Sequence, residues 1–339
     1  MASRSILVEV AHVRGPGKLR FREGAIVYEP TEGEPTRIAT QELTRLVCHG
    51  PVEATSAAME ECARMGIDLA WLSLGASRCR MRLEPSNSPT VMVRVRQLAA
   101  IGNKSWNLEQ ARKLVRLKLE SIAAALRHGQ RHGAEQAGAA LASIAPLVEK
   151  TALAESVGSM RGLEGAGTAL WYSYFGSRVP EPWVFPGRVR RPATDPVNSL
   201  LGLAATLLRQ RAQALAAAAG LEPALGSLHE FRAGRPSLAC DLMEPFRIPM
   251  VDRWTLRTFR GGLLNSEDFQ RGPEGAVTLV TTAFGRIVAS WEAEAKEFEL
   301  DRELEGLIGE TKRSFPPWPD EPSTDSRLGG ALASSDCSE

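Results

Sequence analysis

The stretch NLEQARKLVRLKLESIAAALRH (residues 107–128) places Leu108, Ala111, Val115, Leu119, Ile122 and Leu126 three or four residues apart. That spacing lays apolar side chains along one face of a long amphipathic helix. A stripe of this length must be covered by other elements, and the chain that follows offers them. Helical patterns run over about 136–154, 160–176, 196–219, 237–260 and 276–312, separated by Pro- and Gly-rich clusters such as VPEPWVFPG (residues 179–187). From about Leu98 onward the chain therefore reads as predominantly α-helical.

Upstream of that point the periodicity is different. SILVEV (residues 5–10), KLRFREGAIVYEP (18–30), RIATQELTRLVCHG (37–50), DLAWLSL (68–74) and RCRMRLE (78–84) are short β-prone runs, most of them bounded by Gly, Pro or Ser. Among them TSAAMEECARMGI (55–67) has the composition of a helix, opened by Thr55 or Ser56 as a cap and closed near Gly66. The expected fold class is α+β, with a β-rich N-terminal domain over residues 1–97 and a mainly α-helical domain over 98–315. Residues 316–339 are few in apolar groups and rich in Pro, Ser, Asp and Gly. They cannot bury enough surface to offset their ordering entropy, so a flexible tail is expected.

Composition narrows the functional classes. With 339 residues, 43% of them apolar, the chain has ample material for a core and for two domains. No apolar run approaches the roughly 20 residues that span a bilayer. The opening MASRSILVEVAHVRG lacks the pattern of a secretory signal, so no membrane partner and a cytoplasmic location are expected. The five cysteines, Cys48, Cys62, Cys79, Cys240 and Cys337, form no CxxC pair and indicate neither a disulfide framework nor a thiolate zinc site. A net charge of +1 gives no global attraction to nucleic acid, so any such surface must come from local clustering. No Gly-rich phosphate loop is present.

Chemistry-bearing residues gather in three segments of the helical part: RGLEGAGTALWYSYFG, GSLHEFRAGRPS and LACDLMEPFR. Asp241 and Glu244 stand three apart, which on a helix puts both carboxylates on one side, about 5–6 Å apart at Cβ. His229 lies twelve residues before Asp241 and can return to it across the turn at Gly234, Arg235 and Pro236; Glu164 comes from another helix. Carboxylates with one imidazole suit Mg²⁺ or Mn²⁺ better than structural zinc. Such an ion serves phosphodiester chemistry by stabilising charge on phosphoryl oxygens and activating a hydroxyl or water. Pro245 removes the donor that would bond the Asp241 carbonyl, so a kink is expected beside the acids.

Four strings carry a resemblance that runs from about Leu7 to Leu300: GPVEATSAAMEECARMGIDLAWLS, LEGAGTALWYSYF, RRPATDPVNSLLGLAATLL and, above all, GLEPALGSLHEFRAGRPSLACDLMEPFRIPMVDR. They resemble the CRISPR-associated adaptation integrase family. The resemblance implies a catalytic set of Glu164, His229, Asp241 and Glu244. In it Glu164, His229 and Glu244 bind one divalent ion and Asp241 is the adjacent supporting acid. It implies a homodimer, two copies of which flank a dimer of a small ferredoxin-like subunit. It also implies a reaction on double-stranded and branched DNA, in which a 3′-hydroxyl of captured DNA attacks a phosphodiester of the CRISPR repeat. A DNA-binding scaffold that keeps the fold without the chemistry is the alternative reading, and a standalone metal-dependent nuclease a third.

In a protein that holds DNA, the basic residues acquire expected roles. The helix from Lys104 to Arg131 carries Arg112, Lys113, Arg116, Lys118, Arg127 and Arg131, and the loop after the Glu164 helix carries Arg188, Arg190 and Arg191. Both are expected to contact phosphates, although runs of like charge are commonly just solvated faces. Arg232 and Arg235 follow His229 directly and are expected near the scissile phosphate, while Arg247 can pair with Asp241 or Glu244. His128 and His132 sit at helical spacing among arginines and read as part of a solvated basic face rather than a second metal site. Glycines 162, 165 and 167 around Glu164 suggest close helix packing.

Overall fold

The computed structural model describes residues 9–73, 79–83, 91–189 and 192–316. Two four-stranded sheets form its N-terminal part. In the first, β2 (Gly17–Arg22), β3 (Ala25–Pro30) and β4 (Thr36–Ala39) make an antiparallel meander, and β6 (Val52–Ala54) runs parallel to β2, giving the order β4-β3-β2-β6. In the second, β1 (Val10–Arg14), β5 (Arg45–His49) and β7 (Asp68–Leu72) are parallel neighbours and β8 (Cys79–Leu83) adds antiparallel to β7. Helix α1 (Ser56–Arg64) links β6 to β7. Its N-terminus is capped by the Thr55 side chain, which accepts from Ala58 N at 3.3 Å, and Gly66 turns the chain out at φ 69°.

The strand β5 explains how the two halves of the chain hold together. All five of its residues are buried, the mark of a strand covered on both faces. Leu46 and Cys48 enter a core shared with Leu19, Ile26, Leu69 and Trp71, whereas Val47 belongs to the core of the helices. Leu72 at the end of β7 also joins the helical core. One sheet thus serves two apolar interiors.

The helical part begins with α2 (Val91–Gly102), a few residues ahead of the boundary expected at residue 98. Gln97 fixes it by donating to the carbonyls of Glu222 and Leu225 at 3.1 and 3.0 Å. Helix α3 (Lys104–Arg131) is the long amphipathic element, capped by Asn103 and buried along Ala111, Val115, Leu119, Ile122 and Leu126. Around it pack α4 (Glu135–Leu153), α5 (Val157–Ser177) and α6 (Pro196–Ala218), the last opened by an Asp195 cap with Pro196 in the first turn.

The segment 237–260 is helical throughout but changes pitch. Helix α7 (Ser237–Met243) passes into a 3₁₀ turn (Glu244–Phe246), then a π-helical turn (Arg247–Asp252), then α8 (Arg253–Arg260). The segment 276–312, expected as one helix, is three elements. Strand β10 (Val277–Leu279) pairs with β9 (Phe269–Arg271), and α9 (Thr281–Glu297) is parted from α10 (Leu300–Arg313) by Glu299 at φ 53°. Leu300 and Leu304 are fully buried, so the break lets α10 turn its own apolar face into the core. Among the described residues no helix is long and apolar enough to cross a membrane. Residues 5–8 of the first expected strand and the tail beyond residue 316 lie outside the described residues.

Only one of the three glycines near Glu164 is used for packing. A Cβ on Gly167 would come within 2.2 Å of Leu119 Cδ2, while at Gly162 and Gly165 it would meet nothing within 4 Å. Leu119 is fully buried, so its side chain would have to shift within the packed core. Gly167→Ala should therefore destabilise the fold by about 1–3 kcal/mol through overpacking. Gly165→Ala should stabilise it by roughly 0.5–1 kcal/mol through helix propensity. Denaturant midpoints of the two variants moving in opposite directions is the expected result.

Candidate active site

Helix α3 brings a lysine where its apolar stripe calls for a hydrophobe. Lys118 lies between Val115 and Leu119 on the buried face and is 1% exposed. A buried ammonium requires paired charge, and Lys118 has it twice. Its Nζ contacts Glu244 Oε2 at 2.5 Å and donates to Glu164 Oε1. Lys118 therefore leaves the basic surface expected of α3 and joins the acids. Others of that surface are also paired: Arg112 donates to the Ala154 carbonyl at 2.7 Å, Arg116 to Glu120 at 2.8 Å, and Lys113 to Glu310.

Glu164 projects from α5 and also accepts from Thr168 Oγ1, one turn on, at 2.8 Å. Glu244 opens the 3₁₀ turn after α7 and is 4% exposed. Burial alone would raise the Glu244 carboxyl above its ordinary value of 4.5, but the charges of Lys118 and Arg247 overcome this and hold it at about 2. Arg247 Nη1 stands 3.4 Å from the other oxygen, Oε1. The stability this carboxylate contributes is present above about pH 4.5 and is lost as pH falls toward 2.

Asp241 has a different environment. It is fully buried and accepts from three successive backbone amides, those of Ser227 at 2.7 Å and of Leu228 and His229 at 2.9 Å each. It also contacts His229 Nδ1 at 2.7 Å. Gly226 is needed for this approach, since a Cβ there would lie 2.7 Å from Asp241 Oδ2. Burial lowers the pKa of His229, but the hydrogen bond and charge of Asp241 outweigh that and leave it raised. With Nδ1–H donating to Asp241, the neutral ring keeps its lone pair on Nε2, the arrangement by which a carboxylate orients a metal-binding histidine.

Beneath these groups the π-helical turn supplies a second layer. Asp252 is 1% exposed and accepts from Trp171 Nε1 at 2.8 Å and Tyr172 OH at 3.2 Å, both on α5. Burial pushes its carboxyl up to about 6, with Arg247 and Trp171 pulling the other way. Asp252 thus ties the turn that carries Glu244 and Arg247 to the helix that carries Glu164.

The flanking arginines divide. Arg188 turns inward, donating to Asn198 Oδ1 at 2.8 Å and to the Val189 carbonyl at 2.7 Å, so it organises its own loop. Arg190 and Arg191 lie outside the described residues. Arg232 is exposed, and Arg235 is partly buried with its guanidinium on the Glu230 carbonyl and Ser237 Oγ. The rings of His128 and His132 lie 4.2 Å apart. Among the described residues no three His, Cys, Asp or Glu side chains stand close enough to hold an ion, either there or at Glu164, His229 and Glu244. At the second location the two glutamates converge instead on the Lys118 ammonium.

Sequence reasoning missed Lys118 and Asp252. Lys118 was detectable as a charge on the stripe three residues after Val115. Asp252 gave no local signal.

The model of the family described as "CRISPR associated protein Cas1" matches residues 11–293. The CRISPR-associated endonuclease Cas1 3 of Thermus thermophilus is 35% identical over 262 residues, covering 77% of this chain and 75% of its own. Among solved structures, a CAS1 protein from Thermotoga maritima superposes with a TM-score of 0.77 at 20% identity, covering 92% of this chain and 96% of its own. A casposase bound to integration product gives 0.76 at 18% identity, covering 94% and 98%. A chain of a Cas6-RT-Cas1–Cas2 complex gives 0.72 at 19% identity, covering 94% of this chain and 36% of its own. At these identities the structures share the fold, while the family model and the Thermus relative span most of the chain. The chain belongs to the family of the CRISPR associated protein Cas1.

Proposed function

We propose that this protein is the integrase of a CRISPR adaptation machinery, joining captured double-stranded DNA into the repeat array by transesterification and cutting branched DNA. The observation that carries the reading is the convergence of Glu164 and Glu244, from different elements, on one buried cation beside an imidazole clamped by Asp241. Membership of the Cas1 family supports it, as do a relative called an endonuclease and a structural neighbour bound to an integration product.

The donor types suit a hard divalent ion, two carboxylates that converge on a compact cation and the nitrogen of an oriented histidine, although the three must close up from where they stand to share one ion. Glu164, His229 and Glu244 would hold Mg²⁺ or Mn²⁺, with Lys118 withdrawing. When bound, such an ion supplies Lewis-acid stabilisation of a reacting phosphate. The chain's own residues do the rest. Asp241 fixes the direction of the His229 ring, Arg247 keeps Glu244 ionised, and Arg232 and Arg235 offer charge to the phosphates beside the site. A homodimer assembled with the small ferredoxin-like subunit, in the cytoplasm, belongs to the same proposal.

One observation favours a second reading, a DNA-binding scaffold without chemistry: Lys118 pairs with both glutamates as they stand. Anomalous scattering from Mn²⁺-soaked crystals separates the two, because a scaffold should show no ion between Glu164, His229 and Glu244.

Three outcomes are expected. With the small partner, a short duplex and a plasmid carrying a CRISPR repeat, wild type should join strands only with divalent ions, and Glu164→Ala or His229→Ala should abolish joining. Either variant retaining full joining would sink the proposal. Lys118→Met strips Glu244 of its nearer cation, leaving it buried with only Arg247 at 3.4 Å, and should cost up to about 3–5 kcal/mol without metal. Mn²⁺ should then raise its melting temperature more than that of wild type, and equal responses would show that the ammonium does not compete with the ion. Finally, the raised pKa of His229 means its stabilising charge is present below its ordinary value of 6.5 and is lost as pH rises through the raised one. Asp241→Asn removes the opposing charge but not the burial, so ring-proton NMR of the metal-free protein should place the His229 pKa below its wild-type value.

A further inference from the structure

The loop between His229 and α7 carries an aromatic side chain that the site as described does not use. Phe231 is 67% exposed, next in chain to Glu230 and two residues from His229. Large apolar groups this exposed lose solvation free energy unless something covers them, and a single one on a floppy loop would be unremarkable. This loop is pinned. The Glu230 carbonyl accepts from Ser237 Oγ at 2.9 Å and from the Arg235 guanidinium, and the Glu230 carboxylate pairs with Arg161 of α5 at 2.6 Å. Upstream, Asp241 holds the amides of residues 227–229. Downstream, Arg235 N bonds the Arg232 carbonyl at 3.0 Å, and Gly234 at φ 74° completes the turn.

The backbone on both sides of Phe231 is therefore fixed before any ligand arrives. Binding through the ring costs little ordering entropy. Around it stand Arg232, exposed, and Arg161 and Arg235, each anchored through Glu230. A flat apolar face set among guanidinium groups, beside the carboxylate–imidazole site, matches a strand that presents phosphate and an unstacked base together.

We propose that Phe231 is a stacking platform for one unpaired nucleobase of the DNA, next to the nucleotide whose phosphate reacts. This rests on the DNA-joining reading above. It makes the loop selective for branched or frayed ends, because a base inside a continuous duplex has both faces occupied by its neighbours. Every base has a π-face, so the platform selects structure and not sequence.

The test compares Phe231→Ala and Phe231→Trp with wild type, as full-length protein in Ca²⁺ to suppress chemistry, by fluorescence anisotropy on two labelled probes. One is a blunt 30-base-pair duplex; the other is the same duplex with a five-nucleotide single-stranded flap. Loss of a base–aromatic stack should weaken flap binding of Phe231→Ala by roughly 10- to 100-fold. Blunt-duplex binding should stay within about twofold, and Phe231→Trp should match or exceed wild type on the flap. Equal weakening on both probes, or none on either, overturns the platform. A change in self-association by sedimentation without a change in flap affinity overturns it as well, assigning Phe231 to a protein contact. If wild type itself binds neither probe, the DNA-joining reading fails with it; if wild type binds and joins DNA while Phe231→Ala behaves identically, only the platform fails.

Discussion

The site depends on one buried cation. Lys118 brings a charge into the face of α3 that packs against α5 and the Glu244 turn, and the acids on those elements are held by it. Buried ion pairs are poor sources of net stability, since desolvating the charges costs about as much as their attraction returns. Three apolar residues in these places would fold as well. What the charges provide is position: removing one strands the others, so the register of α3, α5 and the Glu244 turn is locked by the need to keep the set complete.

The two acids of the LACDLMEPFR segment are close in sequence and opposite in use. Asp241 spends its acceptor capacity on three amides and the His229 ring, so it is the fastener that folds the 226–229 loop onto α7. Glu244 instead pairs with cationic side chains, Lys118 and Arg247. Helical spacing puts both on one side; it cannot say which is already satisfied. The difference comes from Gly226, where the absent Cβ lets the loop backbone close over Asp241.

Much of this was legible in the sequence. The change from short β-prone runs to helical periodicity pointed to the fold class, and Thr55 caps α1 as expected. Lys118 was misread because charge counting along a helix ignores phase: the residue belongs to the buried stripe, where a lysine signals a distant partner and not a solvated face. Helix α2 went unassigned, its Val91, Val93 and Val95 giving no helical stripe by themselves; Gln97 of this helix bonds the 222–225 loop. The split at Glu299 was invisible for a related reason, since α9 and α10 have compatible periodicities and the left-handed residue between them is not a glycine. Asp252 needs the approach of α5, a contact some 80 residues away that no local pattern encodes.

The pitch changes after α7 explain how a proline-interrupted segment still delivers its groups inward. Pro245 cannot donate to the Asp241 carbonyl, and the helix responds by tightening, so that Glu244 N makes that bond instead. Glu244 itself keeps right-handed helical angles, φ −59° and ψ −42°. Pro249 likewise cannot donate to the Pro245 carbonyl, and there the helix widens into the π turn. A tight turn followed by a wide one offsets much of the phase change, which is why α8 continues with Trp254, Leu256 and Phe259 buried. An uninterrupted α-helix through this region would place Arg247 and Asp252 by its own regular rotation. Arg247 reaches Glu244 at a spacing of three, as in a regular helix, while Asp252 at the end of the π turn reaches Trp171, so the irregular stretch of backbone joins the turn bearing Glu244 to the helix bearing Glu164.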